Sequence, residues 1–219
     1  MNKINCFVPF SGAAQAEKTV KGLQETGLVN NIYLLALPDV TENLPGCSTL
    51  HMQSIQSSAA IRDIAGHSDA EYTLIYTKYT TLELGLFALE RMIHIAEDSG
   101  AGMVYADRYQ VKEGKQTNAP VIDYQFGSLR DDFDFGSILL FSTSAFTYTA
   151  DKLYKRYQYA GLYNMRLFIA VNYSIIHINE YLYTEVETDT RKSGEKQFDY
   201  VDPKNREVQL EMEAACTEY

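Results

Sequence analysis

Asp131-Asp132-Phe133-Asp134 sets three carboxylates within four residues, the densest acidic cluster in the chain. A carboxylate facing a pocket can take the proton of an attacking hydroxyl, and Asp132 and Asp134 are the candidates for such a base. The competing reading is a solvated loop in which Asp134 caps the turn before Phe135-Gly136. Glu185, Glu187 and Asp189 alternate. On a strand they share one face, where three oxygen donors suit Mg²⁺ or Mn²⁺. Any strand with one wet face alternates in the same way. Arg191-Lys192-Ser193-Gly194 and Lys196 place cations beside a Ser-Gly turn, which suits a diphosphate or a solvated tail.

Other chemistries lack their residues. The four histidines (His51, His67, His94, His177) have no metal spacing, and His94 sits near the apolar face of its segment as a core or boundary residue. Cys6, Cys47 and Cys216 are far apart and odd in number, so neither a disulfide framework nor a zinc site is indicated. There is no G-x-S-x-G, P-loop or G-x-G-x-x-G. The net charge of −10 argues against a uniformly basic nucleic-acid surface and leaves room only for a local basic patch. No run approaches the roughly 18 apolar residues of a membrane span, and the start lacks the plan of a secretory signal, so a cytoplasmic location is expected.

These residues need a scaffold, and the 219 residues, 46% of them hydrophobic, suffice for one sizeable core. Apolar or β-branched runs predict strands at Ile4–Phe10, Asn31–Leu37, Ser48–Met52, Tyr72–Tyr76, Gly102–Ala106 and Phe135–Ser142, with Ile175–Glu187 extended. Helical spacing predicts helices at Ala13–Thr26, Ile55–Gly66, Thr81–Asp98, Thr149–Tyr159, Leu162–Val171 and Glu207–Tyr219. Val111–Asp123 reads as a loop with a hairpin around Glu113-Gly114-Lys115, and Arg191–Arg206 as a polar loop. The alternation of strand and helix predicts an α/β domain: a mixed, mainly parallel sheet with helices on both faces. The last helix reaches the end of the chain without a stop signal, which suggests a longer natural chain.

In order along the chain, several marks resemble family 2 glycosyltransferases of the GT-A fold. They are Val8-Pro9-Phe10 closing the first strand, Leu37-Pro38-Asp39 closing the second, Ser58-Ala59-Ala60-Ile61-Arg62-Asp63, Ala70-Glu71-Tyr72 before an apolar strand, and Asp134-Phe135-Gly136-Ser137. The resemblance covers roughly residues 3 to 187. It divides the chain into a GT-A-like domain, 1–190, and a C-terminal loop and helix, 191–219. It implies a nucleotide-sugar donor and a glycan or other acceptor. Pro9, Ser11, Asp39, Arg62, Thr77, Lys78 and Tyr79 would line the nucleotide-sugar site at the carboxyl ends of the first, second and fourth strands. The cationic loop at Arg191 lies where the family closes a loop over the donor.

The resemblance breaks at the family's two acidic motifs. The metal-binding Asp-x-Asp should follow the fourth strand, where this chain has Thr77-Lys78-Tyr79. The later Glu-Asp pair that supplies the base is replaced by Leu162-Tyr163. No residue is therefore assigned to a metal, and a divalent cofactor, Mg²⁺ or Mn²⁺, is doubtful. Three readings follow: a transferase with relocated groups, in which Lys78 meets the diphosphate as a point charge; a degenerate domain that binds sugar or nucleotide without turnover; and an interaction domain.

Overall fold

The computed structural model describes residues 3–187 and 204–219. The chain runs β1 (Ile4–Phe10), α1 (Ala13–Glu25), β2 (Val29–Ala36), β3 (Cys47–His51), α2 (Ser58–Gly66), β4 (Tyr72–Tyr76) and β5 (Thr81–Leu84). It continues with α3 (Ala88–Ser99), β6 (Met103–Lys112), β7 (Lys115–Ala119), β8 (Ile138–Ser142), α4 (Thr143–Lys152), α5 (Gly161–Asn172), β9 (Ile175–Val186) and α6 (Lys204–Glu218). The strands form one sheet in the order β3-β2-β1-β4-β8-β6-β9-β5, with β7 added to β6 as a hairpin. β3, β2, β1 and β4 are parallel. β8 enters antiparallel between β4 and β6, and β6 and β9 are again parallel.

Both faces of this sheet are buried, which explains why its central strands are apolar throughout. Ile4, Cys6, Val8 and Phe10 of β1 point to one face, where α1 and α3 pack through Val20, Leu23, Leu89 and Met92. Phe7, Ile75, Leu139 and Phe141 point to the other, against Ile61 of α2, Phe146 of α4 and Met165 of α5. The expected α/β architecture, with β1 inside the sheet and helices on both faces, is present. Among the described residues no helix is long and apolar enough to cross a membrane.

Several boundaries differ from expectation. Thr81–Asp98 is not one helix. Its first turn is strand β5, antiparallel to β9, and α3 begins only at Ala88. Gly85 lies so close to Leu182 that a Cβ would stand 2.7 Å from its carbonyl oxygen. Leu86, at helical spacing from Leu82 and Leu89, is nevertheless 87% exposed, and Phe87 takes a left-handed φ of 56°. β6 runs on to Lys112, and the Glu113-Gly114 turn joins it to β7 with both residues at positive φ, the hairpin geometry that a Gly makes accessible. The helix expected at Thr149–Tyr159 is instead α4, beginning directly after β8. His94 is exposed rather than at a core boundary.

Candidate functional site

β4 delivers Thr77 and Lys78 to the carboxyl edge of the sheet, and the neighbouring strand β8 begins there. The Thr77 amide donates to the Ser137 carbonyl at 2.9 Å, and its hydroxyl to the same oxygen at 3.3 Å. This ties the end of β4 to the acidic segment 131–137. Beneath them lies a cavity of about 430 Å³, lined by Thr77, Lys78, the acidic segment, the start of α5 and Met212 of α6. Phe133, Phe135 and Tyr163 give it aromatic walls. Such faces suit the apolar side of a sugar ring as well as a base.

The acidic segment is held from below. Arg108 of β6, with 8% of its side chain exposed, sits between Asp134 (Nη2 to Oδ2, 2.9 Å) and the equally buried Glu185 of β9 (Nε to Oε1, 2.8 Å). Burial opposes the guanidinium charge, but the Asp134 hydrogen bond and both carboxylates outweigh it and raise the pKa. The other Asp134 oxygen accepts the Gly136 amide at 2.8 Å. The Tyr183 hydroxyl accepts the Ser137 amide at 2.8 Å. Gly136 has φ 74°, and a Cβ on it would stand 2.3 Å from the Tyr183 hydroxyl, so only glycine fits this turn. From α5, buried Arg166 donates to the Ser128 and Arg130 carbonyls at 2.7 and 2.6 Å and lies over the Tyr163 ring. Burial pushes the Tyr163 phenol up to about 12.

The three carboxylates are not equivalent. Asp132 is clasped by Arg130 through two hydrogen bonds, at 2.9 and 3.0 Å, which hold its pKa below the usual value. Asp134 has both oxygens engaged, by Gly136 and Arg108. Asp131 is exposed, lines the cavity, and makes no hydrogen bond or ion pair among the described residues. Lys78 is likewise exposed and unpaired among the described residues, whereas Arg108 and Arg166 on the same cavity are both engaged.

Of the residues expected at a nucleotide-sugar site, Thr77, Lys78, Asp132 and Asp134 converge on this cavity. Pro9 is buried at the end of β1, and Ser11, Asp39 and Tyr79 are exposed and do not line it. Parallel pairing nevertheless sets the ends of β2, β1 and β4 side by side, so Asp39, Ser11 and Thr77 follow strands that finish at one sheet edge. Arg62 lines a separate cleft with Arg156 and Glu211. Glu185 lies on no wet face: it is 6% exposed and serves Arg108. Glu187 is paired with Lys112 at 3.2 Å. Asp189 and the Arg191–Lys196 cations lie outside the described residues.

Arg108 and Arg166 were not singled out by sequence, although each is a charge inside an otherwise apolar element, as in Tyr105-Ala106-Asp107-Arg108 and Met165-Arg166-Leu167. The same holds for His177. It bridges buried Asp107 (Nε2, 2.9 Å) and loop Asp123 (Nδ1, 2.7 Å) and stacks on Tyr105. Tyr105 in turn meets Phe135 edge-on and donates to the Ile122 carbonyl, so this cluster fixes the loop that leads to the cavity.

No family model and no curated protein matches the chain. Solved structures do. S. aureus TarS 1-349 in complex with UDP-GlcNAc matches with a TM-score of 0.59 at 11% identity, over 97% of this chain and 66% of that one. TarS 1-349 in complex with UDP gives 0.60 at 9% identity, over 95% and 75%. The 4-diphosphocytidyl-2C-methyl-D-erythritol synthase of Anaerococcus prevotii gives 0.52 at 9% identity, over 82% and 90%. This chain thus spans about two thirds of the length of the UDP-GlcNAc-bound TarS structure. At such identities the likeness is one of fold, a GT-A-like mixed α/β sheet covered by helices.

Proposed function

We propose that the chain binds a nucleotide-sugar at the carboxyl edge of its sheet and transfers the sugar to a hydroxyl acceptor. The observation that carries this reading is the cavity itself. Lys78, unpaired among the described residues, lines one cavity with three carboxylates and aromatic walls, in a fold shared with a protein solved with UDP-GlcNAc. In transfer, the acceptor oxygen bonds to the anomeric carbon while the bond to the diphosphate breaks, and the acceptor proton passes to a carboxylate. Asp132 and Asp134 were the expected bases. With their oxygens engaged, they are better suited to shaping the loop, and Asp131, without a hydrogen bond among the described residues, can take the proton.

The divalent metal of the GT-A family does not fit the residues here. The Thr77 hydroxyl donates to a carbonyl, and burial raises the Tyr79 phenol, so neither offers the hard anionic oxygen a divalent ion requires. Lys78 would meet the leaving diphosphate instead. One ammonium supplies half the charge of a divalent ion, so slow turnover is expected. This shortfall favours, as the second reading, a domain that binds donor without turnover.

Calorimetric titration with uridine, UDP and UDP-GlcNAc, with and without Mn²⁺, tests the proposal. UDP should bind more tightly than uridine and be indifferent to manganese. If none of the three binds, the nucleotide-sugar reading fails and an interaction domain takes its place.

A further inference from the structure

We propose that α6 is a latched wall of the cavity, held in place by the Glu211 carboxylate on the amides of residues 158–160, the turn that enters α5. The start of α5 has no cap of its own: Ala160 offers no side-chain acceptor, and the first turn carries no acidic residue. Amides there have no intrahelical partner and need one from outside. Leu162 finds the Gln56 carbonyl at 3.1 Å, while Glu211 of α6 serves the N-cap amide of Ala160 and the two amides before it. Its Oε1 accepts from Gln158 at 3.0 Å, and its Oε2 from Tyr159 at 2.6 Å and Ala160 at 3.1 Å. A second carboxylate on α6, Glu218, takes the Tyr157 hydroxyl and the Lys155 ammonium, both at 2.8 Å.

Apolar packing adds to these contacts, with Met212, Ala214, Cys216 and Tyr219 partly buried against one small cluster. Among the described residues of α6, Ala215 alone is fully buried, in this cluster with Tyr157, Ala160, Tyr163 and Leu167. Leu210 is 55% exposed. These polar contacts of the helix thus converge on one stretch of chain, 155–160. That turn matters to the cavity, because Tyr159 lines it. Met212, the residue after Glu211, is part of the wall between the cavity and a second cleft of about 610 Å³, a wall completed by Asp131 and Tyr163. Releasing Glu211 would loosen the turn and the wall together, although Tyr157 stays tied to Ser58 and Glu218. Glu211 is therefore a positioning residue that acts through the start of α5, whatever ligand the cavity takes.

Glu211→Ala and Glu211→Gln in the full chain test this, with readouts that need no ligand. Hydrogen–deuterium exchange follows the amides of 158–160 and of α6, with β1 and β4 as internal references. Labelling of Cys216 on α6 follows the helix directly in a Cys47→Ser background, since Cys6 is buried. In Glu211→Ala, exchange at 158–160 and α6 and the labelling of Cys216 should all rise on the order of tenfold, the scale of a lost helix cap. β1 and β4 should stay as in wild type. Glu211→Gln, which keeps one acceptor oxygen, should fall between. Unchanged exchange and labelling in Glu211→Ala would overturn the latch. So would equal acceleration of β1 and β4, which would mean a general loss of stability. Neither result depends on whether UDP binds, so the latch and the nucleotide-sugar reading can fail separately.

Discussion

Lys78 is the residue on which the nucleotide-sugar reading turns, because it alone on the cavity carries a positive charge with no partner among the described residues. Lys78→Ala should weaken UDP binding by about 1.5–3 kcal/mol, the scale of a charge-assisted hydrogen bond, and leave uridine binding nearly unchanged. The effect should shrink at high salt, since Lys78 is exposed. Equal losses for uridine and UDP would remove Lys78 from the diphosphate. Beneath it, Arg108 has the opposite character. Glu185→Ala would leave a buried guanidinium with Asp134 alone, and the cost should lie near the lower end of the roughly 3–5 kcal/mol for breaking a buried pair. A denaturant midpoint unchanged in that variant would contradict the pairing. These residues were unequally legible. Thr77, Lys78, Asp132 and Asp134 stand out in sequence because they occupy marked positions at strand ends and in a dense acidic loop. Arg108, Arg166 and His177 do not, because their meaning lies in partners 26 to 77 residues away that only the tertiary fold brings together.

At the scale of elements, long apolar runs gave reliable strands, and the errors fall where tertiary pairing overrides local periodicity. Leu82, Leu86 and Leu89 have helical spacing, yet Thr81–Leu84 pairs with β9 and buries Leu82 in the sheet. The ladder with β9 and the tight Gly85 approach to Leu182 decide the matter, and neither is visible in a window of ten residues. The contact of α2 with α5 is similarly hidden in one glycine. At Gly161 a Cβ would stand 2.3 Å from the backbone of Ser57 and Ser58. The same two chains are stitched by Leu162 N to Gln56 O at 3.1 Å and Ser58 N to Tyr157 O at 2.8 Å. Backbone cannot yield as a side chain does, so Gly161→Ala should cost about 3 kcal/mol or more. For a chain of this size that is a fall in Tm of roughly 6–12 °C. A thermal melt within a degree of wild type would show that the helices are not so closely apposed.

For the whole molecule, the sheet with both faces covered removes an unusual number of phenols from water. Tyr76, Tyr105 and Tyr183 are at most 1% exposed, each with its hydroxyl hydrogen-bonded inside the protein. Burial is the first cause raising the pKa of all three, and it also takes Tyr163 up to about 12. The sign follows from which form the fold prefers. A buried phenol is favoured neutral, so its folded pKa lies above the unfolded value of about 10. The unfolded chain therefore binds fewer protons than the folded one above that pH, and stability falls as pH rises through the window from about 10 upward. Below pH 10 these groups leave stability flat. Alkaline titration followed by tyrosinate absorbance, with circular dichroism read on the same samples, should show a late group of phenols that ionises only as the fold is lost. Those phenols sit on both faces, Tyr76 and Tyr183 on one and Tyr105 on the other, so a single coincident transition would report that the two cores melt as one unit. If all 17 tyrosines ionised in one step near pH 10 while the dichroism persisted, the two-faced packing would be wrong.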